Sequence, residues 1–231
     1  MEISKFLHRF SRMGEREIES KFDTNEIYEH LKTKLVSGAF SPGVKLKPTL
    51  LQGEYNCSPN TVRDVLMRLC NIGLVEFRMQ RGFRATESTL ERRSDVARFR
   101  ILLEQSGTAD SMRRGGVKWE AQLAAAHHKL LHIERQVLAE DDTKPLMDLW
   151  TEAEREFHET LISACGSPML IETFAKVYLQ FRQQFFGQQR DFGANFFQAI
   201  IAEHQIIVDA AVARDEVGCR RAIHDHLKRN L

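Results

Sequence analysis

The sequence predicts a mostly α-helical chain: an N-terminal winged helix-turn-helix with a small β wing, followed by an all-α antiparallel bundle of about six helices. Three observations lead there. Residues 48–73 hold two short helical patterns separated by the turn Asn56-Cys57-Ser58, which is helix-turn-helix spacing. Two extended runs, 74–77 and 83–86, follow at once and flank a tip containing Gly82, as in a hairpin. From residue 94 onward, apolar residues recur with helical periodicity, broken only at clusters of glycine, proline and aspartate.

Residues 1–23 are polar and mixed in charge, and read as a frayed arm or a short helix. Asp23 or Thr24 can cap the next helix, whose Ile27, Leu31 and Leu35 form one apolar stripe. Gly38 ends that helix, and Ser41-Pro42-Gly43 makes a turn. Val44 and Leu46 alternate with Lys45 and Lys47 as a short extended piece. Pro48 opens the second helix, where proline is tolerated in the first turn. Ser58 is a suitable N-cap for the third, with Pro59 at its first position. Val62, Val65, Leu66 and Leu69 give that helix its apolar face, and Gly73 stands just past its end. Residues 87–93 read as a polar linker. Bundle helices are expected near 94–114, 117–140, 145–165, 168–188, 192–214 and 216–230. Their short connections imply antiparallel neighbours. The expected division is an arm at 1–23, a winged module at 24–86, the linker, and a bundle at 94–231.

A net charge of +1 excludes a chain that is polybasic throughout. The distribution is more telling. Residues 45–86 carry seven basic side chains against three acidic ones, whereas 94–231 carry 17 against 20. A basic segment beside an acidic one is the footprint of a nucleic-acid-binding module inside a larger protein. Cys57, Cys70, Cys165 and Cys219 form no CxxC pair and read as reduced thiols of a cytoplasmic protein. The first residues lack the apolar stretch of a signal peptide, and no run approaches the length of a membrane span.

A recognition helix sets its N-terminal residues against base edges. Here those residues are Ser58, Asn60, Thr61 and Arg63. Arg63 offers bidentate donors to a base or a phosphate, and the other three suit phosphate or base contacts. Gln80, Arg81 and Gly82 form the wing tip, where glycine lets the backbone approach a groove or a phosphate. The plainer alternative is that Ser58 only caps its helix and Arg63 is a solvated arginine. The helix pair, the basic wing and the local charge together favour double-stranded operator DNA as partner.

In the bundle, Glu154 and His158 stand at i, i+4 on one helix face. With His204 and His226 from two further helices, they would supply one carboxylate and three imidazoles. That donor set suits Zn²⁺, Ni²⁺ or Mn²⁺. By spacing alone only Glu154 and His158 form a local motif. His8, His30, His127, His128, His132 and His224 lack even that and read as structural.

The stretch from Ile27 to Thr86 resembles the winged helix-turn-helix of the GntR family of transcription regulators. The matching residues are Gly38-Ala39-Phe40-Ser41-Pro42-Gly43-Val44-Lys45-Leu46, then Ser58-Pro59-Asn60-Thr61-Val62-Arg63-Asp64-Val65-Leu66, Leu69, Gly73-Leu74-Val75 and Arg81-Gly82. Two positions depart from the family pattern. Pro48-Thr49-Leu50 replaces the usual acidic-basic pair that opens the second helix, which weakens a phosphate contact often made there. Val65 stands where alanine is usual, a packing change. The C-terminal half resembles the FCD-type domain of the FadR-like branch, through Arg100 and Glu104, Glu154 and His158 followed by Leu161 and Gly166, Glu203-His204, and His226-Leu227. The resemblance implies a metal held by Glu154, His158, His204 and His226, with glutamate replacing the more usual aspartate. It also implies a small carboxylate effector beside the metal, with Arg100 and Arg182 facing the cavity. For both arginines a surface ion pair is the competing reading, Arg100 having Glu104 one turn on.

The expectation is therefore a DNA-binding transcription regulator and not an enzyme: a homodimeric repressor on a pseudo-palindromic operator, tuned by a small organic acid. Two rivals stand beside it. One is a metal-dependent hydrolase using the same ligands to activate water, which would not need the N-terminal module. The other is a regulator that senses the metal itself.

Overall fold

The computed structural model describes residues 22–140, 143–187 and 194–231. Most of the expected N-terminal arm, with His8, lies outside the described residues.

Helix α1 (Thr24–Val36) begins at a capping box. The Asp23 carboxylate accepts from the backbone of Asn25 at 2.7 Å and of Glu26 at 2.8 Å, and the Glu26 carboxylate accepts from the Asp23 N–H at 2.9 Å. Its stripe of Ile27, Leu31 and Leu35 is fully buried. The helix stops where Gly38 adopts φ +77°, a conformation glycine takes without strain. Strand β1 (Lys45–Leu46) leads into helix α2 (Pro48–Tyr55). Asn56 then turns left-handed at φ 47°, and Ser58 caps helix α3 (Pro59–Asn71). The wing consists of β2 (Val75–Arg78) and β3 (Gly82–Ala85), paired antiparallel. It carries one strand more than the hairpin expected from sequence. Strand β1 joins its far edge in the order β1-β3-β2, with Leu46 opposite Phe83. The apolar faces of α1, α2, α3 and the sheet share one core.

Six bundle helices follow: α4 (Leu90–Arg114), α5 (Val117–Ala139), α6 (Lys144–Ile162), α7 (Pro168–Phe186), α8 (Ala194–Val212) and α9 (Glu216–Leu227). They enclose a second core that includes Trp150, Phe157 and Phe197. Helix ends in the bundle shift by up to four residues from expectation, the start of α4 most. Helix α4 starts inside the stretch read as linker, because the Thr89 hydroxyl accepts from the Arg92 N–H at 3.2 Å and caps it early. The last helix stops at Leu227 and closes with a 3₁₀ turn over Lys228–Asn230.

Helix α7 ties the two cores together. Side-chain amides of Gln180, Gln183 and Gln184 donate to the backbone carbonyls of Ile72 (3.1 Å), Leu74 (2.9 Å) and Glu87 (3.3 Å). Leu179 packs on the N-terminal core. Gly73, at φ +76°, permits this approach, since a Cβ there would lie 2.6 Å from the Gln180 amide nitrogen.

Candidate functional site

The start of α3 is exposed, as reading a groove requires. The Ser58 hydroxyl accepts from the Thr61 N–H at 3.1 Å and pairs with the Thr61 hydroxyl at 2.9 Å, so Ser58 does cap the helix. Asn60 and Arg63 point to solvent. Arg68, one turn on, is held by Asn25 at 3.1 Å and lies over the Tyr28 ring. At the wing tip, Gln80 (φ 65°) and Gly82 (φ +72°) make the turn that projects Arg81. Lys45 and Lys47 are exposed on the neighbouring strand and its end. Exposed cations on adjoining elements make a surface that a phosphate backbone attracts.

The second site lies inside the bundle. Helix α6 supplies Glu154 and His158, α8 supplies His204, and α9 supplies His226. One donor atom from each histidine lies within 4.8 Å of the other two. All three rings are buried. Each turns Nδ1 towards its own carboxylate. His158 meets Glu104 at 2.9 Å and His226 meets Glu203 at 2.8 Å. His204 Nδ1 lies 3.0 Å from Glu134, too poorly aligned for a hydrogen bond. A carboxylate at Nδ1 fixes the tautomer that leaves Nε2 as the donor to a metal. Nε2 of His158 and of His204 has no hydrogen-bond partner. Burial, opposed by Glu104, holds the His158 pKa below the usual histidine range. Burial with the neighbouring histidines and Arg100 holds that of His226 well below it. Three buried imidazoles with converging nitrogens, two of them with an unpartnered Nε2, fit a divalent cation.

Of the four expected ligands, the structure gathers the three histidines and leaves Glu154 at their edge. Glu154 Oε1 is 3.3 Å from His158 Nε2. The same carboxylate spans the two arginines, with Arg100 Nη2 at 3.2 Å from Oε1 and Arg182 Nη1 at 3.2 Å from Oε2. The Tyr178 hydroxyl also donates to it. Despite burial, the two guanidinium groups hold the Glu154 carboxyl far below the ordinary carboxylate range. The surface ion pairs weighed for Arg100 and Arg182 are not what forms. Both side chains are buried, at 0% and 1% exposure. Arg100 does pair with Glu104, at 2.6 Å, but within the core. A cavity of about 30 Å³ opens beside them, bounded by Arg100, Glu154, Arg182, His204 and His226.

Sequence reasoning missed Glu134 and Tyr178 and saw Glu104 only as a neighbour of Arg100. A signal existed for the glutamates. Glu134 falls in register with buried Leu130 and Val137, and Glu104 with Ala97 and Ile101. A carboxylate in an apolar stripe needs a buried partner. Helix α5 also buries His127, which reads as structural from sequence, against the Phe157 ring.

Residues 95–229, more than half of the chain, match the FCD domain. Residues 23–84 match the model for bacterial regulatory proteins of the gntR family. The chain belongs to the GntR family. It is a transcriptional regulator with a GntR helix-turn-helix and an FCD domain, and not an enzyme. Relatives of this GntR regulator include an uncharacterized HTH-type transcriptional regulator, BphR, of Paraburkholderia xenovorans. It is 29% identical over 88% of this chain and 82% of its own length. The HTH-type transcriptional repressor GlaR of Escherichia coli is 27% identical over 87% and 90%. Among solved structures, Escherichia coli McbR/YncC superposes with a TM-score of 0.73 at 20% identity, covering 92% of this chain and 96% of that one, and so shares the fold. FCD domains often bind metal, and the three histidines here form a group able to hold one. None of the described helices is long and apolar enough to cross a membrane.

Proposed function

We propose that this GntR regulator is a cytoplasmic homodimeric repressor whose hold on its operator is set by a small carboxylate bound beside a divalent metal. The observation that carries the reading is the convergence of three buried histidines next to two buried arginines. His158, His204 and His226 would hold the ion, with Glu154 as the fourth ligand. Zn²⁺, Ni²⁺ and Mn²⁺ all suit such donors. Bound there, the ion supplies a positive centre that attracts an anionic effector. Arg100 and Arg182 orient that anion by charge-assisted hydrogen bonds. Ser58, Asn60, Thr61 and Arg63 face the major groove, and Gln80, Arg81 and Gly82 of the wing face the backbone or the minor groove. A relative named as a repressor supports repression as the sign of control.

Coupling needs an element that both sites bias. Helix α7 is that element. Arg182 lies on its cavity face, and Gln180, Gln183 and Gln184 clip it to the module carrying α3. The test is to select DNA fragments that bind the metal-loaded protein and then titrate the complex with small carboxylates. Release of the DNA by a carboxylate supports the reading. Binding that follows metal concentration alone and ignores every carboxylate favours a regulator of metal supply instead.

A further inference from the structure

We infer that the effector of this regulator is a compact monocarboxylate with an apolar body, not a dicarboxylate or a polyhydroxy acid. The inference rests on the effector site proposed above and specifies the class of ligand it takes.

Charge sets the number of carboxylates. A divalent ion with Arg100, Arg182 and Arg229 brings five positive charges to the centre. Glu104, Glu134, Glu154 and Glu203, each paired to one of these arginines or to a ligand histidine, bring four negative charges. One positive charge is left over, which a single carboxylate neutralises. A dianion would overshoot, and a buried excess charge is strongly disfavoured.

Donors set the place of that carboxylate. Arg100 Nη1 and Arg182 Nε are buried N–H groups without a hydrogen-bond partner. They belong to the two guanidinium groups that flank the Glu154 carboxylate. The pair already holds one carboxylate and has donors to spare for another.

The walls set the body. Beyond the charged groups, the cavity is bounded by Trp150, Phe181, Phe185, Phe196 and Ile200, with Asn230 the one uncharged amide among its lining residues. A hydroxyl placed against these rings would lose water and gain no partner, whereas a phenyl or branched alkyl group would gain contact area. The present volume of about 30 Å³ holds a water or two, so the body enters by turning aromatic side chains aside and must be small.

The test is titration calorimetry on the full-length, metal-loaded protein with four probes: phenylacetate, isovalerate, glutarate and gluconate. The expected result is that phenylacetate or isovalerate binds at least about ten-fold more tightly than glutarate and gluconate, ten-fold being roughly one or two methylenes' worth of apolar burial. Phe196→Gln should shrink that preference while leaving metal uptake intact. Glutarate or gluconate binding as tightly as the apolar acids overturns this inference and leaves the metal-carboxylate reading standing. So does an unchanged preference in Phe196→Gln. If none of the four probes binds metal-loaded protein, the effector reading falls together with it.

Discussion

The Glu154→Ala change removes the carboxylate that Arg100 and Arg182 share. The two arginines do not suffer equally. Arg100 keeps Glu104 at 2.6 Å. Arg182 keeps the Thr151 hydroxyl at 2.7 Å and the faces of Trp150, Phe186 and Phe185, at 4.5, 4.6 and 5.2 Å, but no second carboxylate among the described residues. Removing one partner of a buried ion pair costs about 3–5 kcal/mol, because the other charge is stranded away from water. At roughly 2–4 °C per kcal/mol for a chain of this size, the melting temperature should fall by about 6–20 °C. The assay is thermal unfolding of metal-free protein followed by circular dichroism, with and without formate. Formate fits the space vacated by the side chain and should restore part of the loss. A loss below about 1 kcal/mol, the range of exposed pairs, and no response to formate would refute the claim that the buried arginines depend on Glu154.

Three further outcomes are expected. Arg63→Ala and Arg81→Ala should each weaken binding to a selected operator by about 1–3 kcal/mol if they read bases. If they touch phosphate alone, each should instead lower the salt dependence by about one counterion; fluorescence anisotropy at several salt concentrations separates the two. Gln183→Ala removes the donor to the Leu74 carbonyl. It should cost about 1 kcal/mol, speed amide exchange over residues 72–75, and reduce the effect of a carboxylate on DNA affinity. A normal carboxylate response would remove α7 as the coupling element. The third outcome concerns pH. Burial holds His127, His158 and His226 below the ordinary histidine range. The unfolded chain takes up protons near pH 6.5 that the folded chain refuses. Stability of the metal-free protein should therefore be full above about pH 6.5 and fall below it, by up to about 1.4 kcal/mol per group per pH unit. Glu104 and Glu154 are depressed carboxylates, so their contribution is lost only below about pH 4.5. Urea melts across that interval report these histidines, opposed by Glu203, whose pKa burial raises above the ordinary carboxylate range; no net fall in stability there would contradict their burial as neutral rings.

The fold was legible where local chemistry dictates it. Asp23, Pro48, Ser58 and Gly73 mark ends with their own side chains or backbone freedom, and the stripe of Ile27, Leu31 and Leu35 points one way on a helix whatever surrounds it. The early start of α4 was missed because Thr89 sits in a polar stretch that also suits a linker. The β1 strand was seen as extended but not as a sheet member, since two residues carry no pairing signal. In the centre, Glu154 and His158 announce themselves by spacing, whereas His204 and His226 carry no local motif and gained weight as candidates from the resemblance to other regulators. The partners that hold the centre together, Glu104, Glu134 and Tyr178, come from three different helices. Only packing brings them together, and no local pattern encodes it. The seat of Glu154 illustrates the point. Its reach across Arg100, Arg182 and Tyr178 depends on where α4 and α7 lie, which spacing within α6 does not reveal.

As proposed, His158, His204 and His226 make this regulator a metal protein. The most direct test is metal uptake measured by calorimetry and elemental analysis on wild-type protein and on His204→Ala, after stripping and reloading with Zn²⁺, Ni²⁺ or Mn²⁺. One ion per protomer is expected in the wild type, with affinity falling by two or more orders of magnitude in His204→Ala, as expected for loss of a ligand at least as damaging as loss of an outer-shell partner. A wild-type protein that takes up none of the three ions, or a His204→Ala variant that binds as tightly, would contradict the proposal.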